Sequence, residues 1–139
     1  MSAMAIVTGG LLPGSTGVVL MARIVGADSV PITQATISTI TYVVRNTTQA
    51  TTAQASTSLT VSSVVFDDLQ TADDAWSIDS PTSPGPDGRS GYNLRFTVPA
   101  SVLSPTVDLD DYRVDVLITP SSGQQLIQPF SFSLLRVYT

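Results

Sequence analysis

The side chains available for chemistry are aspartate, tyrosine, serine, threonine and arginine, because histidine, cysteine, lysine and glutamate do not occur in the chain. Without histidine a serine nucleophile lacks its usual base, and without cysteine or lysine the thiolate and Schiff-base routes are closed. What remains is a pair of carboxylates, which can split their pKa values when forced together and which suffice for a glycosidase. No Asp-Thr-Gly or Asp-Ser-Gly motif occurs, nor any glycine pattern that cradles phosphate. The expectation is a non-enzymatic protein with no cofactor.

Two acidic groups could supply oxygen ligands to Ca²⁺: Asp67-Asp68 and Asp73-Asp74 with Asp79 nearby, and Asp108, Asp110 and Asp111 at a strand entrance. Neither follows the twelve-residue helix-loop-helix pattern. Asp is also favoured in turns and at helix N-caps for local hydrogen-bonding reasons, and that reading is preferred here, so no metal site is assigned. Zinc is disfavoured by the lack of His and Cys. The aromatic residues Trp76, Tyr92, Tyr112, Phe130 and Phe132 could form a sugar-stacking platform, but inward strand registers place them in the core instead. Asn46-Thr47-Thr48 matches a glycosylation sequon, a three-residue signal that carries no weight alone.

The elements that must position these groups are strands. Tyr92 to Val98 alternates, with Tyr92, Leu94, Phe96 and Val98 inward against Asn93, Arg95 and Thr97 outward, and Pro99 ends the run. Tyr112 to Thr119 repeats the pattern with Tyr112, Val114, Val116 and Ile118 inward. Pro120-Ser121-Ser122-Gly123 then makes a turn into a hairpin partner over Gln125 to Tyr138, where Pro129 argues for an edge position or a bulge. Val18 to Val25 and Ile37 to Arg45 read as strands, the latter with Ile40, Tyr42 and Val44 on one face. Asn46 to Thr57 lacks apolar periodicity and reads as a hairpin tip or loop, and Leu59 to Phe66 as a strand. A short helical turn is expected near 67–76, where Leu69, Ala72 and Trp76 can share a side. Ser80 to Gly91, with three prolines and three glycines, reads as an exposed loop.

Residues 1–17 are punctuated by Gly9, Gly10, Pro13, Gly14 and Gly17, which suits an extended arm, leaving 18–139 as a single domain. The fold class is thus all-β, an antiparallel sandwich of six or seven strands. Composition agrees: Ser, Thr and Val abound, and the good solvent-face helix formers Glu and Lys are missing. Charged residues make up only 12% of the chain, so its surface must be hydroxyl-rich. The net charge of −5, with Arg23, Arg45, Arg89, Arg95, Arg113 and Arg136 scattered singly, disfavours nucleic acid as a partner. The longest apolar run, Val18 to Ala22, is far too short to span a bilayer, so no membrane partner is expected.

Three segments taken together carry a resemblance. They are Leu20-Met21-Ala22-Arg23-Ile24 with Pro31-Ile32-Thr33-Gln34-Ala35, then Val64-Val65-Phe66-Asp67-Asp68-Leu69-Gln70 with Trp76, and Gly91-Tyr92-Asn93-Leu94-Arg95-Phe96-Thr97-Val98-Pro99. The chain resembles small uncharacterised proteins encoded in tailed-phage and prophage structural gene clusters. The similarity continues through Tyr112-Arg113-Val114 and Ile118-Thr119-Pro120-Ser121-Ser122-Gly123 and covers most of the chain, though none of these motifs is diagnostic of a chemistry. The resemblance implies a virion component, assembled in the host bacterial cytoplasm, with an immunoglobulin-like or related sandwich used at the capsid surface, neck or tail. Its implied partners are other virion subunits and further copies of itself, and it transfers no catalytic residue. On this reading residues 1–17, loop 80–91 and the edge strands make the contacts, while Trp76, Tyr92, Phe96, Tyr112, Phe130 and Phe132 hold the core. Two other readings compete: a free-standing adhesin or carbohydrate-binding module, and a small Asp-based hydrolase.

Overall fold

A computed structural model describes residues 2–3, 7–13, 17–26, 30–70, 91–103 and 109–135. Nine strands appear among them: β1 (Ser2–Ala3), β2 (Val7–Pro13), β3 (Val18–Ala22), β4 (Ile37–Asn46), β5 (Thr51–Leu59), β6 (Val65–Gln70), β7 (Tyr92–Val98), β8 (Leu109–Pro120) and β9 (Leu126–Leu135). They form two sheets. The larger runs β1-β9-β8-β4-β5, with β2 also on the outer side of β9, and the smaller runs β3-β7-β6. The all-β sandwich expected from composition and alternation is therefore the observed fold.

Its core lies between the sheets, and alternation decides which residues reach it. Tyr42 and Val44 of β4, Leu94, Phe96 and Val98 of β7, Tyr112, Val114, Val116 and Ile118 of β8, and Phe130, Phe132 and Leu134 of β9 are all buried in one cluster. Phe96 joins the layers, its ring 5.3 Å from Tyr42 and 6.1 Å from Phe130. Tyr112 and Phe132, directly opposite in the β8–β9 hairpin, stack at 5.9 Å. Each such aromatic contact adds about 0.5–1.5 kcal/mol to the burial itself. Tyr92 is also buried, against Phe66, whereas Trp76 lies outside the described residues.

Several local expectations are corrected. Among the described residues one α-helical turn occurs, α1 at Val61–Val64; of the segment 67–76, where a turn is expected, residues 67–70 are strand and 71–76 lie outside the described residues. The reason is a three-residue spacing, Val61 to Val64, that turns both side chains onto the core, after which Val65 and Phe66 favour extension beside β7. The strand expected over Leu59 to Phe66 is thereby split into the end of β5, α1 and the start of β6. Of the hairpin tip or loop expected over 46–57, the tip is present but is confined to a turn at 47–50, followed by β5 paired with β4. Its lack of apolar periodicity is that of an edge strand, whose side chains are half-buried or exposed.

The last strand is not an edge. Between β8 on one side and the N-terminal segments on the other, β9 lies inside the larger sheet. Pairing on the N-terminal side is parallel, Ser2–Ala3 against Leu126–Ile127 and Val7–Pro13 against Phe130–Leu135. Pro129, which has no N–H to donate, falls in the interval between the two pieces.

Asn93 is the sharpest departure from the alternation pattern. It faces away from the core side of β7 but is only 1% exposed. β3 pairs with β7 as far as Ala22↔Leu94. Beyond that, the Asn93 amide continues the ladder: Ile24 N–H donates to its Oδ1 at 2.8 Å and its Nδ2 donates to Ile24 O at 2.9 Å. A side-chain amide, carrying both a donor and an acceptor, substitutes here for a strand neighbour.

Candidate interaction surface

The acidic groups can now be placed. Asp67 and Asp68 are neighbours in β6 and both exposed, and the Asp67 carboxylate accepts the backbone N–H of Gln34 at 2.7 Å. Gln34 in turn donates through Nε2 to Val65 O at 2.8 Å, so this aspartate ties the 3-10 turn Gln34–Thr36 to the start of β6. Asp73, Asp74, Asp79 and Asp108 lie outside the described residues. Asp110 and Asp111 are consecutive in β8 and therefore point to opposite faces.

Asp110 is fully buried, 0% exposed, and takes hydrogen bonds from Asn46 Nδ2 at 2.9 Å and Gln49 Nε2 at 3.4 Å. Asn46 Oδ1 also accepts the Gln49 N–H at 3.0 Å. Burial raises the Tyr112 phenol pKa, the Asn46 hydrogen bond lowers it and the Asp110 charge adds to the rise. Asp111 faces out, accepts a hydrogen bond from Ser133 Oγ and holds Thr47 and Thr48 through its backbone. The arrangement fastens the β4–β5 turn to the start of β8. Asn46 of the sequon is 5% exposed and committed to this network, which removes it as a glycan acceptor. Among the described residues no group of three or more acidic side chains is placed to share a cation.

The aromatic platform does not form from the four aromatic residues that can be placed, since Tyr92, Tyr112, Phe130 and Phe132 are buried. The surface offers two other features. One is a cleft of about 580 Å³ at one end of the sandwich, between Val30–Ile37 and the turn Ser121–Gln124, with Ile118 and Leu126 in its lining. Val30, 56% exposed, stands at its lip. The other is the outer face of the larger sheet. Thr39, Thr41 and Arg45 of β4, Thr52, Ser56 and Ser58 of β5, Arg113, Asp115 and Thr119 of β8, and Ser131 and Ser133 of β9 are exposed or half-buried.

Spacing in the sequence hid one property of that face. Arg45 and Arg113, isolated along the chain, are register partners across β4 and β8. Like charges set opposite each other disfavour pairing, and Arg113 Nε donates to Asp115 Oδ1 at 2.9 Å, which offsets part of the repulsion. Around this small charged centre the face mixes hydroxyls with the half-buried Val43, Leu117 and Ile127 and the exposed register pair Leu109 and Leu135, and it ends at β5, whose outer side pairs with no strand among the described residues. Compared with protein-family models, with curated proteins and with solved structures, the chain finds no match.

Proposed function

We infer that this protein is a non-enzymatic structural subunit of a tailed-phage virion, packing in multiple copies against its neighbours. The observation that carries the reading is the larger sheet: a broad, charge-poor face of hydroxyls and partly exposed apolar side chains that ends in a nine-residue strand, Thr51–Leu59, without a charged residue or a proline. Hydroxyl groups cost far less to remove from water than ionised side chains, and they find hydrogen-bond partners on any polypeptide surface. Such a face suits repeated subunit contacts. The phage setting and the immunoglobulin-like class come from the sequence resemblance, whose segments fall on β3, on β6 and on β7.

Mass spectrometry of purified particles from the source phage tests the reading. The chain is expected at stoichiometric copy number, and the number separates capsid decoration from a neck or baseplate ring. Absence from particles refutes it and brings forward the adhesin reading, which glycan binding by the isolated protein would then support.

A further inference from the structure

We propose that β5 is a homodimer interface, in which the β5 strands of two copies pair antiparallel about a two-fold axis and join their larger sheets. The inference rests on the reading of the chain as a subunit that packs against copies of itself, and it names the surface that does so. Exposed strand edges in natural proteins are ordinarily blunted by charge, proline, an inward-pointing charged residue or a β-bulge. β5, Thr-Thr-Ala-Gln-Ala-Ser-Thr-Ser-Leu, has no charge and no proline, and its two bulges lie between Thr52 and Thr57, leaving both ends in regular register. Two copies of a chain with net charge −5 can meet there without placing like charges in contact.

The other edges are less open. The far side of β9 is occupied by the chain's own β1 and β2. In the smaller sheet β3 has only five residues, and β6 carries exposed Asp67 and Asp68 and breaks register with β7. The other edge of the larger sheet is formed by β1 and β2, of two and seven residues, the second ending in Pro13, so the nine-residue β5 is the longest open edge among the described residues.

The register of β5 against β4 is compatible with a second β5 as the partner of that edge, because its two bulges together leave the faces matched. β5 holds one residue more than β4 between the pairs Tyr42↔Thr57 and Val44↔Gln54, and again between Val44↔Gln54 and Arg45↔Thr52. One extra residue exchanges the faces of a strand, and two restore them. Thr52, opposite Arg45, and Ser58, opposite Thr41, thus share the outer face, while Thr51, opposite Asn46, and Leu59, opposite Ile40, share the core side. Antiparallel self-pairing centred on Ala55 sets Thr52 against Ser58 and Thr51 against Leu59. Outer positions then meet outer, and core-side positions meet core-side, at both ends of the strand. A two-fold contact of this kind also closes on itself, so it yields a dimer and not an open fibre.

Because the chain has no cysteine, introduced thiols report the register directly. Thr52 and Ser58 are exposed, so Thr52→Cys and Ser58→Cys leave the core untouched. Directly opposed strand residues have Cα atoms about 4.5–5.5 Å apart, inside the disulfide window. The two copies of residue 58, six residues apart along the paired strands, are separated by about 20 Å, and so are the two copies of residue 52. An equimolar mixture of the two variants under mild oxidation is expected to give a mixed disulfide dimer, while either variant alone gives little. Light scattering on the unmodified chain is expected to give twice the monomer mass of 14.6 kDa. A monomeric chain, no mixed disulfide between variants that retain the parent circular dichroism and melting temperature, or equal crosslinking by one variant alone overturns the proposal. Failure here leaves the chain's presence in particles to be decided separately by mass spectrometry, and absence from particles leaves the dimer intact.

Discussion

Replacing Asn93 by alanine isolates the clamp that holds the chain where it leaves β3. The substitution removes both bonds to Ile24, whose backbone is fully enclosed. The two ends of the loss differ. Ile24 O also accepts the N–H of Ile32 at 3.2 Å and keeps that partner, whereas Ile24 N–H loses the acceptor that Asn93 supplied. A buried donor left unsatisfied costs about 1–3 kcal/mol, and the second bond adds about 1 kcal/mol. The sum is a destabilisation of about 2–4 kcal/mol, against a small domain's total of roughly 5–15 kcal/mol. Urea denaturation followed by tryptophan fluorescence and circular dichroism reads it. With a slope of roughly 1–3 kcal/mol per molar urea, the midpoint falls by about 0.7–4 M while the slope is unchanged. Thr97→Ala, at an exposed position on the same strand, serves as control and is expected to stay within about 0.5 kcal/mol of the parent. A loss below about 1 kcal/mol for Asn93→Ala would refute the argument that the amide stands in for a missing strand neighbour.

Three further outcomes are expected. Ala50, in the β4–β5 turn, has φ of 55°, so Ala50→Gly relieves a left-handed alanine and raises stability by up to about 1 kcal/mol in the same urea experiment. Gly91 has φ of +107° and a Cβ there would sit 2.7 Å from Gln70 O, so Gly91→Ala lowers the melting temperature, with a cost of about 1–3 kcal/mol from the dihedral alone. Burial raises the pKa of Tyr42, less a hydrogen bond from Gln54, and that of Tyr112. Their contribution to stability is therefore complete below the unfolded value of about 10 and is lost as pH rises through the higher folded values. Urea midpoints measured from pH 8 to 11 should hold level and then fall above pH 10. Tyr42→Phe should make that fall shallower, with no lysine to confuse the titration.

The strands that could be read from the sequence are those whose inward positions are all apolar. In β7 and β8 every second residue from Tyr92 and from Tyr112 is a large apolar side chain, and burial follows. β5 was hidden because an edge strand buries little and because its two bulges break the period of two. The turn α1 went unread because its short Val61–Val64 signal lies inside a stretch rich in Val and Ser that reads as strand. Asn93 looked like an outward polar residue because alternation cannot distinguish an amide in water from one bonded to enclosed main chain. Likewise nothing near Asn46 or Asp110 announces the bond between them, since they meet only after β4 and β8 pair.

The parallel pairing of β1 and β2 with β9 ties the first described strands to the last. On the ribosome β1 and β2 emerge early, and the strand they pair with, β9, is synthesised after the other described strands of both sheets. The β8–β9 hairpin can form locally, but joining the N-terminal strands to it means closing a loop of more than a hundred residues, which places this ladder late in folding. Until then the outer side of β9 is an open template, and it is the chain's own beginning that shields it.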